Sequence, residues 1–199
     1  MITDEAVWGK RHVDIAAAAL RGGARVIQLR DKTKHDAELL PIARDILALC
    51  RQHGAVFIVD DRADLAVACD ADGVHVGEYD LPLSAARKVV GPDRLVGVSC
   101  YGNVEAAAQA EREGADYVAV GSIYPTRTKQ AAVTGLEIIR QVKARVSLPV
   151  VAIGGIEAGN LAEVVRAGAD SASVVEAVAG ADDMVAATRN LIDIIESAR

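Results

Sequence analysis

The sequence predicts a single-domain (β/α)8 TIM barrel with a short first strand, and three observations predict it. Short β-branched runs alternate with longer segments of helical period over the 199 residues. None of those runs alternates strictly between polar and apolar residues, so both faces read as covered, as in a parallel sheet. A Gly-Ala pair ends a helical segment ahead of the next strand at Gly23–Ala24, Gly54–Ala55, Gly114–Ala115 and Gly168–Ala169. The gaps lie near multiples of one βα unit, roughly 25 to 30 residues. Such glycines suit helix C-termini that need positive φ. Eight short units with right-handed crossovers close into a barrel. The runner-up is an open doubly wound sheet, but no glycine fingerprint follows the first strand.

The strand candidates, in order, are Ile2–Thr3, Val26–Leu29, Val56–Val59, Gly73–Val76, Leu95–Val98, Tyr117–Val120, Val150–Ile153 and Ser171–Val175. Between them lie helical patterns, among them Val13–Arg21, Asp36–Gln52, Val104–Glu113, Leu136–Ala144 and Leu161–Ala167. In the first of these, Val13, Ala16, Ala17 and Leu20 fall on one face. The last helix, near Asp182–Ser197, is expected to pack against the first. The first strand is the weak stave, because Met1, Ile2 and Thr3 leave almost nothing before Asp4. Either the barrel closes with a very short strand or the chain starts upstream of this Met. No linker or low-complexity tract divides residues 1–199, so one domain is expected.

Composition narrows the function. The formal net charge is -6, which argues against a general polyanion surface and against nucleic acid as a partner. An anion must then be captured by a local cluster. The three cysteines, Cys50, Cys69 and Cys100, are widely spaced without metal-ligand spacing, as in a reduced, cytoplasmic chain. No apolar run reaches roughly 18 residues, and Met1–His12 has no signal-peptide pattern, so no membrane partner is expected. A homo-oligomer is compatible with the sequence.

In such barrels the active site gathers at the C-terminal ends of the strands. The second strand ends in Gln28, Leu29, Arg30, Asp31 and Lys32, a crowd of polar groups that reads as a cationic grip on an anion. The third leads to Asp60, Asp61 and Arg62, the fourth past His75 and Gly77 to Asp80, and the fifth to Ser99. Asp61 and Asp80 follow neighbouring strands, and two carboxylates beside a phosphate-binding rim suit Mg2+. Taken alone, Asp60 or Asp61 suits equally a cap of the next helix. The loop Tyr124–Lys129 carries Thr126, Arg127, Thr128 and Lys129, whose hydroxyls and cations can donate to phosphate from several directions. Gly154 and Gly155 either bring backbone N–H groups to a phosphate at the start of the next helix or only make a tight turn. The eighth strand ends near Val175 and Glu176. His75, inside an apolar strand, reads first as a core histidine. Arg140, Lys143 and Arg145 read as a solvated helix face.

The strand-two motif, the Asp61/Asp80 pair, Gly97–Val98–Ser99, the Pro125–Lys129 loop and Ala152–Ile156 occur in an order that resembles the thiamine-phosphate synthase family, also called thiamine-phosphate pyrophosphorylase. The likeness runs from about Ile2 to Gly180. It implies a transferase that joins hydroxymethylpyrimidine diphosphate to hydroxyethylthiazole phosphate and releases diphosphate. By position it implies that Gln28, Leu29, Arg30, Asp31, Lys32, Asp60, Ser99 and Lys129 hold the pyrimidine diphosphate. Arg30, Lys32, Ser99 and Lys129 are the catalytic candidates among them. It further implies Mg2+ on Asp61 and Asp80, with the thiazole phosphate on Thr126, Arg127, Thr128, Gly155, Val175 and Glu176. Three positions depart from the family: Asp60 replaces the usual Asn, Glu176 the usual Ser, and Cys100–Tyr101 the usual Ala-His. A carboxylate at 176 should repel phosphate unless it turns away or is protonated.

Rival readings are a thiazole tautomerase relative, a phosphosugar isomerase or aldolase, and a phosphate-binding regulator without catalysis. Arg30, Lys32 and the aspartate pair argue against the tautomerase. The absence of a lysine inside any strand argues against a Schiff-base aldolase.

Overall fold

The computed structural model describes residues 1–127 and 132–199. Eight parallel strands lie in sequence order: β1 (Ile2–Thr3), β2 (Val26–Leu29), β3 (Val56–Asp60), β4 (Gly73–Val76), β5 (Leu95–Tyr101), β6 (Tyr117–Val120), β7 (Val150–Ile153) and β8 (Ser171–Ser173). The Ile2 N–H donates to the Val174 carbonyl at 3.0 Å and joins the last strand's end to the first. This is the predicted barrel, with a first strand of two residues. The run expected to reach Val175 stops at Ser173, and β5 continues past Val98 to Tyr101.

The intervening helices are α1 (Glu5–Trp8), α2 (His12–Arg21), α3 (Asp36–His53), α4 (Ala63–Cys69), α5 (Leu83–Val90), α6 (Val104–Arg112), α7 (Glu137–Arg145), α8 (Leu161–Arg166), α9 (Glu176–Ala179) and α10 (Met184–Ala198). The four glycines of the Gly-Ala pairs, Gly23, Gly54, Gly114 and Gly168, all have positive φ, as helix exits require. Helix α10 packs against α2 and α8. The buried side chains of α2 are His12, Ile15, Ala16, Ala18, Ala19 and Leu20. Val13 and Ala17 of the expected stripe are less buried than Ile15 and Ala19, because α2 is covered by α3 on one flank and α10 on another.

The main apolar core lies between sheet and helices, built from residues such as Ile27, Phe57, Val59, Val74, Ile139 and Leu161. Alternation turns the other set inward. Register puts Gln28 beside Ile58, Asp60 beside His75, His75 beside Gly97, and Gly97 beside Tyr117. A Cβ on Gly97 would meet the Tyr117 ring 2.0 Å away, so the missing side chain gives that ring its place in the lumen. The upper layer of the lumen is therefore polar.

Candidate active site

One cavity of about 610 Å3 occupies the lumen and its mouth. Gln28, Arg30, Lys32, Asp60, Asp61, His75, Asp80 and Ser99 all line it. Strand alternation explains the grip: Gln28 and Arg30 share one side of β2, and Leu29 and Asp31 the other. The Arg30 guanidinium is held from two sides, with Nη1 against the Asp4 carboxylate and Nε 3.6 Å from Asp60 Oδ2. Asp4 is itself buried and caps α1 through Val7 N. Asp61 stands at φ 63, a left-handed turn that aspartate tolerates, and its carboxylate meets Lys32 Nζ. Asp80 accepts from Gly77 N at 2.8 Å. Below this layer His75 Nε2 lies 2.9 Å from Ser99 Oγ, and Nδ1 lies 3.0 Å from the Tyr117 hydroxyl. Burial, then the nearby Asp60 and Asp116, push the Tyr117 phenol upward and keep it protonated.

A second cavity of about 850 Å3 lies beside the first. Thr126, Arg127, Gly155, Val175 and Glu176 line it, and it shares Arg30, Ser99 and Tyr101 with the first. Its β6 side is fixed by contacts with β7: Ile123 N donates to the Ile153 carbonyl and Tyr124 N to that of Gly154. Gly154 and Gly155 permit this close crossing, since added Cβ atoms would lie 2.0 Å from Ser122 Oγ and 2.3 Å from the Pro125 carbonyl oxygen. Two chambers thus open on one rim and share a wall.

Comparison with known proteins bears on what such a rim does. The family model described as "Thiamine monophosphate synthase" matches residues 1–178. The chain belongs to that family. Among curated members, the thiamine-phosphate synthase of Methanospirillum hungatei JF-1 is 49% identical over 198 residues, 98% of this chain and 96% of that one. That of Moorella thermoacetica is 46% identical over 201 residues, 100% and 95% of the two chains. The solved thiamine phosphate pyrophosphorylase from Pyrococcus furiosus superposes with a TM-score of 0.93 at 42% identity, covering 99% of this chain and 94% of that one. Membership in the thiamine monophosphate synthase family makes the chain an enzyme, a transferase of thiamine biosynthesis.

Within this family member, the sequence-predicted residues divide into four groups. Gln28, Arg30, Lys32, Asp60, Asp61, Asp80 and Ser99 come together around the first chamber, and Thr126, Arg127, Gly155, Val175 and Glu176 around the second. Thr128 and Lys129 lie outside the described residues. Two expected substrate contacts are corrected. Leu29 packs its side chain in the core between sheet and helices. Asp31 points away from the chambers, its side chain 1% exposed. It accepts from Thr33 N and Oγ1 at 2.7 Å and Lys34 N at 2.9 Å, and meets His12 Nε2 at 2.9 Å. Burial opposes charge there, but the hydrogen bonds from His12, Thr33 and Lys34 prevail and hold the carboxyl well below the usual range. The helix after the diglycine starts at Leu161, where the sequence expects it, and Asn160 Nδ2, just before it, donates to the Gly155 carbonyl at 2.9 Å.

Three positions gain a role that the sequence does not give them. Asp4 reads in one dimension only as the residue after a short strand, although a carboxylate at a barrel strand end is itself a signal. His75 reads as core, and its neighbours Ser99 and Tyr117 come from strands far apart in sequence. Tyr101 reads as mere lining beside Ser99, yet it faces both chambers. All three cysteines are free and buried. Burial pushes the Cys50 and Cys100 thiols up to about 12. Neither is a thiolate nucleophile at neutral pH.

Proposed function

We propose that the chain condenses 4-amino-2-methyl-5-(diphosphooxymethyl)pyrimidine with 4-methyl-5-(2-phosphooxyethyl)thiazole, giving thiamine phosphate and diphosphate. The observation that carries this reading is the pair of adjoining chambers. One is rich in cations and carboxylates, and the other is closed by the β6 loop and the start of α9. A coupling enzyme needs two anionic substrates side by side with their reactive atoms across a common wall.

The first chamber takes the pyrimidine diphosphate. Gln28 and Asp60 face the heterocycle, and Arg30 and Lys32, joined by Lys129, hold the diphosphate. These cations stabilise charge that grows on the leaving group. His75 Nδ1 shares a hydrogen bond with the Tyr117 hydroxyl and Nε2 one with Ser99 Oγ; in the tautomer with its proton on Nε2, the phenol donates to Nδ1 and the imidazole to Ser99 Oγ. Ser99 can then turn its own hydroxyl hydrogen toward the departing oxygen. The electron-rich aminopyrimidine carries the methylene cation, and the thiazole nitrogen captures it. The protein supplies no nucleophile and forms no covalent intermediate. The second chamber anchors the thiazole phosphate through Thr126, Arg127, Thr128 and the backbone near Gly155, Val175 and Glu176.

The donor set fits Mg2+. Asp61 and Asp80 are two oxygen ligands on one chamber, and the Lys32 ammonium against Asp61 marks that carboxylate as a place for positive charge. When bound, Mg2+ would neutralise diphosphate oxygens alongside the protein cations. Lys32 would then be free for the substrate. The test is a diphosphate-release assay with both precursors, run with Mg2+, with chelator and with Asp61→Ala. Thiamine phosphate formed only with Mg2+ supports the reading; binding of both precursors without diphosphate release refutes it.

A further inference from the structure

Tyr101 has three unusual features in one residue. Its φ is 52, a left-handed value that costs an aromatic side chain roughly 1–2 kcal/mol. The β5–β6 register slips between Ser99 and Tyr101, a bulge, and bulges beside active sites re-aim side chains. Its backbone is pinned there, the Tyr101 carbonyl accepting from Gly121 N at 3.1 Å. These features aim the phenol across the rim from β5 to the loop after β4. A Cβ placed on Gly77 would lie 3.2 Å from the Tyr101 hydroxyl and 3.2 Å from Asp80 Oδ2, so the two groups flank one point. The ring meanwhile lines both chambers. Local strain held at a position with this exposure to ligand marks a functional residue.

We propose that Tyr101 contacts both substrates: its hydroxyl donates to the diphosphate of the first, and its ring is the wall that keeps water from the reactive methylene until the thiazole nitrogen arrives. The inference rests on the coupling reading above. In productive turnover the methylene C–O bond breaks, its electron pair leaves with diphosphate, and a C–N bond forms to the thiazole. In the side reaction that Tyr101 suppresses, water forms a C–O bond to the same carbon and loses a proton, giving the hydroxymethylpyrimidine.

The test uses the full chain and two variants. Tyr101→Phe keeps the ring and removes the donor. Calorimetric titration with inorganic pyrophosphate should show about tenfold weaker binding, the loss expected for one hydrogen bond to a charged group. The KM for the thiazole phosphate should stay within about twofold. Tyr101→Ala removes the wall, and the ratio of hydroxymethylpyrimidine to thiamine phosphate should rise about tenfold or more. Pyrophosphate affinity unchanged in Tyr101→Phe overturns the hydroxyl contact. An unchanged product ratio in Tyr101→Ala overturns the wall. If the wild-type chain makes no thiamine phosphate, the coupling reading fails, while the pyrophosphate titration still decides the hydroxyl contact.

Discussion

Replacing Asp31 with alanine tests how the cationic grip is held in place. Its carboxylate lies beneath Arg30 and Lys32, on the opposite side of the chain. It gathers donors from His12, Thr33 and Lys34 at 2.7 to 3.1 Å. His12 is buried as well, and its Nδ1 lies 2.9 Å from Thr3 Oγ1. Removing the acceptor takes the partner from a buried ring nitrogen, from the half-buried Lys34 N–H and from the solvent-exposed Thr33 N–H. Breaking a buried hydrogen-bonded charge network costs about 3–5 kcal/mol. For a chain of this size that lowers Tm by roughly 6–20 °C. Thermal melts at pH 7 read the effect, with Asp14→Ala as the control. Asp14 pairs with Arg11 at the surface, where solvent screens the pair, and its loss should leave Tm within about 2 °C of wild type. The pH dependence follows from the depressed Asp31 carboxyl. The stability it contributes is present above its unfolded value near 3.9 and is lost as pH falls through its lower folded value. The gap between wild type and Asp31→Ala should therefore narrow below about pH 4. With its anchor gone, the Arg30–Lys32 segment should also hold the pyrimidine diphosphate less well and raise its KM. An Asp31→Ala melt as close to wild type as that of the control would refute the argument.

Asp4→Asn removes the charge that clamps Arg30 Nη1 and should raise the KM for the pyrimidine diphosphate about tenfold, with that for the thiazole phosphate little changed; steady-state kinetics separates the two. Glu176→Ser removes a negative charge from the second chamber and should lower the KM for the thiazole phosphate; an unchanged or higher value would take Glu176 out of the site. Gly155→Ala puts a methyl group 2.3 Å from the Pro125 carbonyl oxygen at a backbone φ of 62, so it should displace the β6 loop and weaken thiazole phosphate binding about tenfold, read by titration with that ligand.

Much of the fold is legible in the sequence because barrel strands are covered on both faces and their helices end on glycine. The apolar runs name the strands to within a residue or two except at β5, where chain geometry at the rim overrides pattern. At Gln28–Lys32 the mixed character of the segment is plain in one dimension. Period-two alternation adds that Arg30 and Lys32 face the first chamber while Leu29 and Asp31 turn away, and that rule needs only the order of the residues. The His75–Ser99–Tyr117 link is different in kind. It depends on register among three strands and on the empty space at Gly97. The bulge that aims Tyr101 is likewise a property of how β5 meets β6.

The closure at Ile2 and Val174 has a consequence for thermal behaviour. A stave of two residues is the thinnest part of the cylinder, and it stands between Arg30 on one flank and Glu176 on the other. Fraying of that stave would open the mouth of the chambers as well. Occupied chambers would bolt that gap, so the melting temperature should climb with ligand concentration while proteolytic cutting near the first helix slows in step.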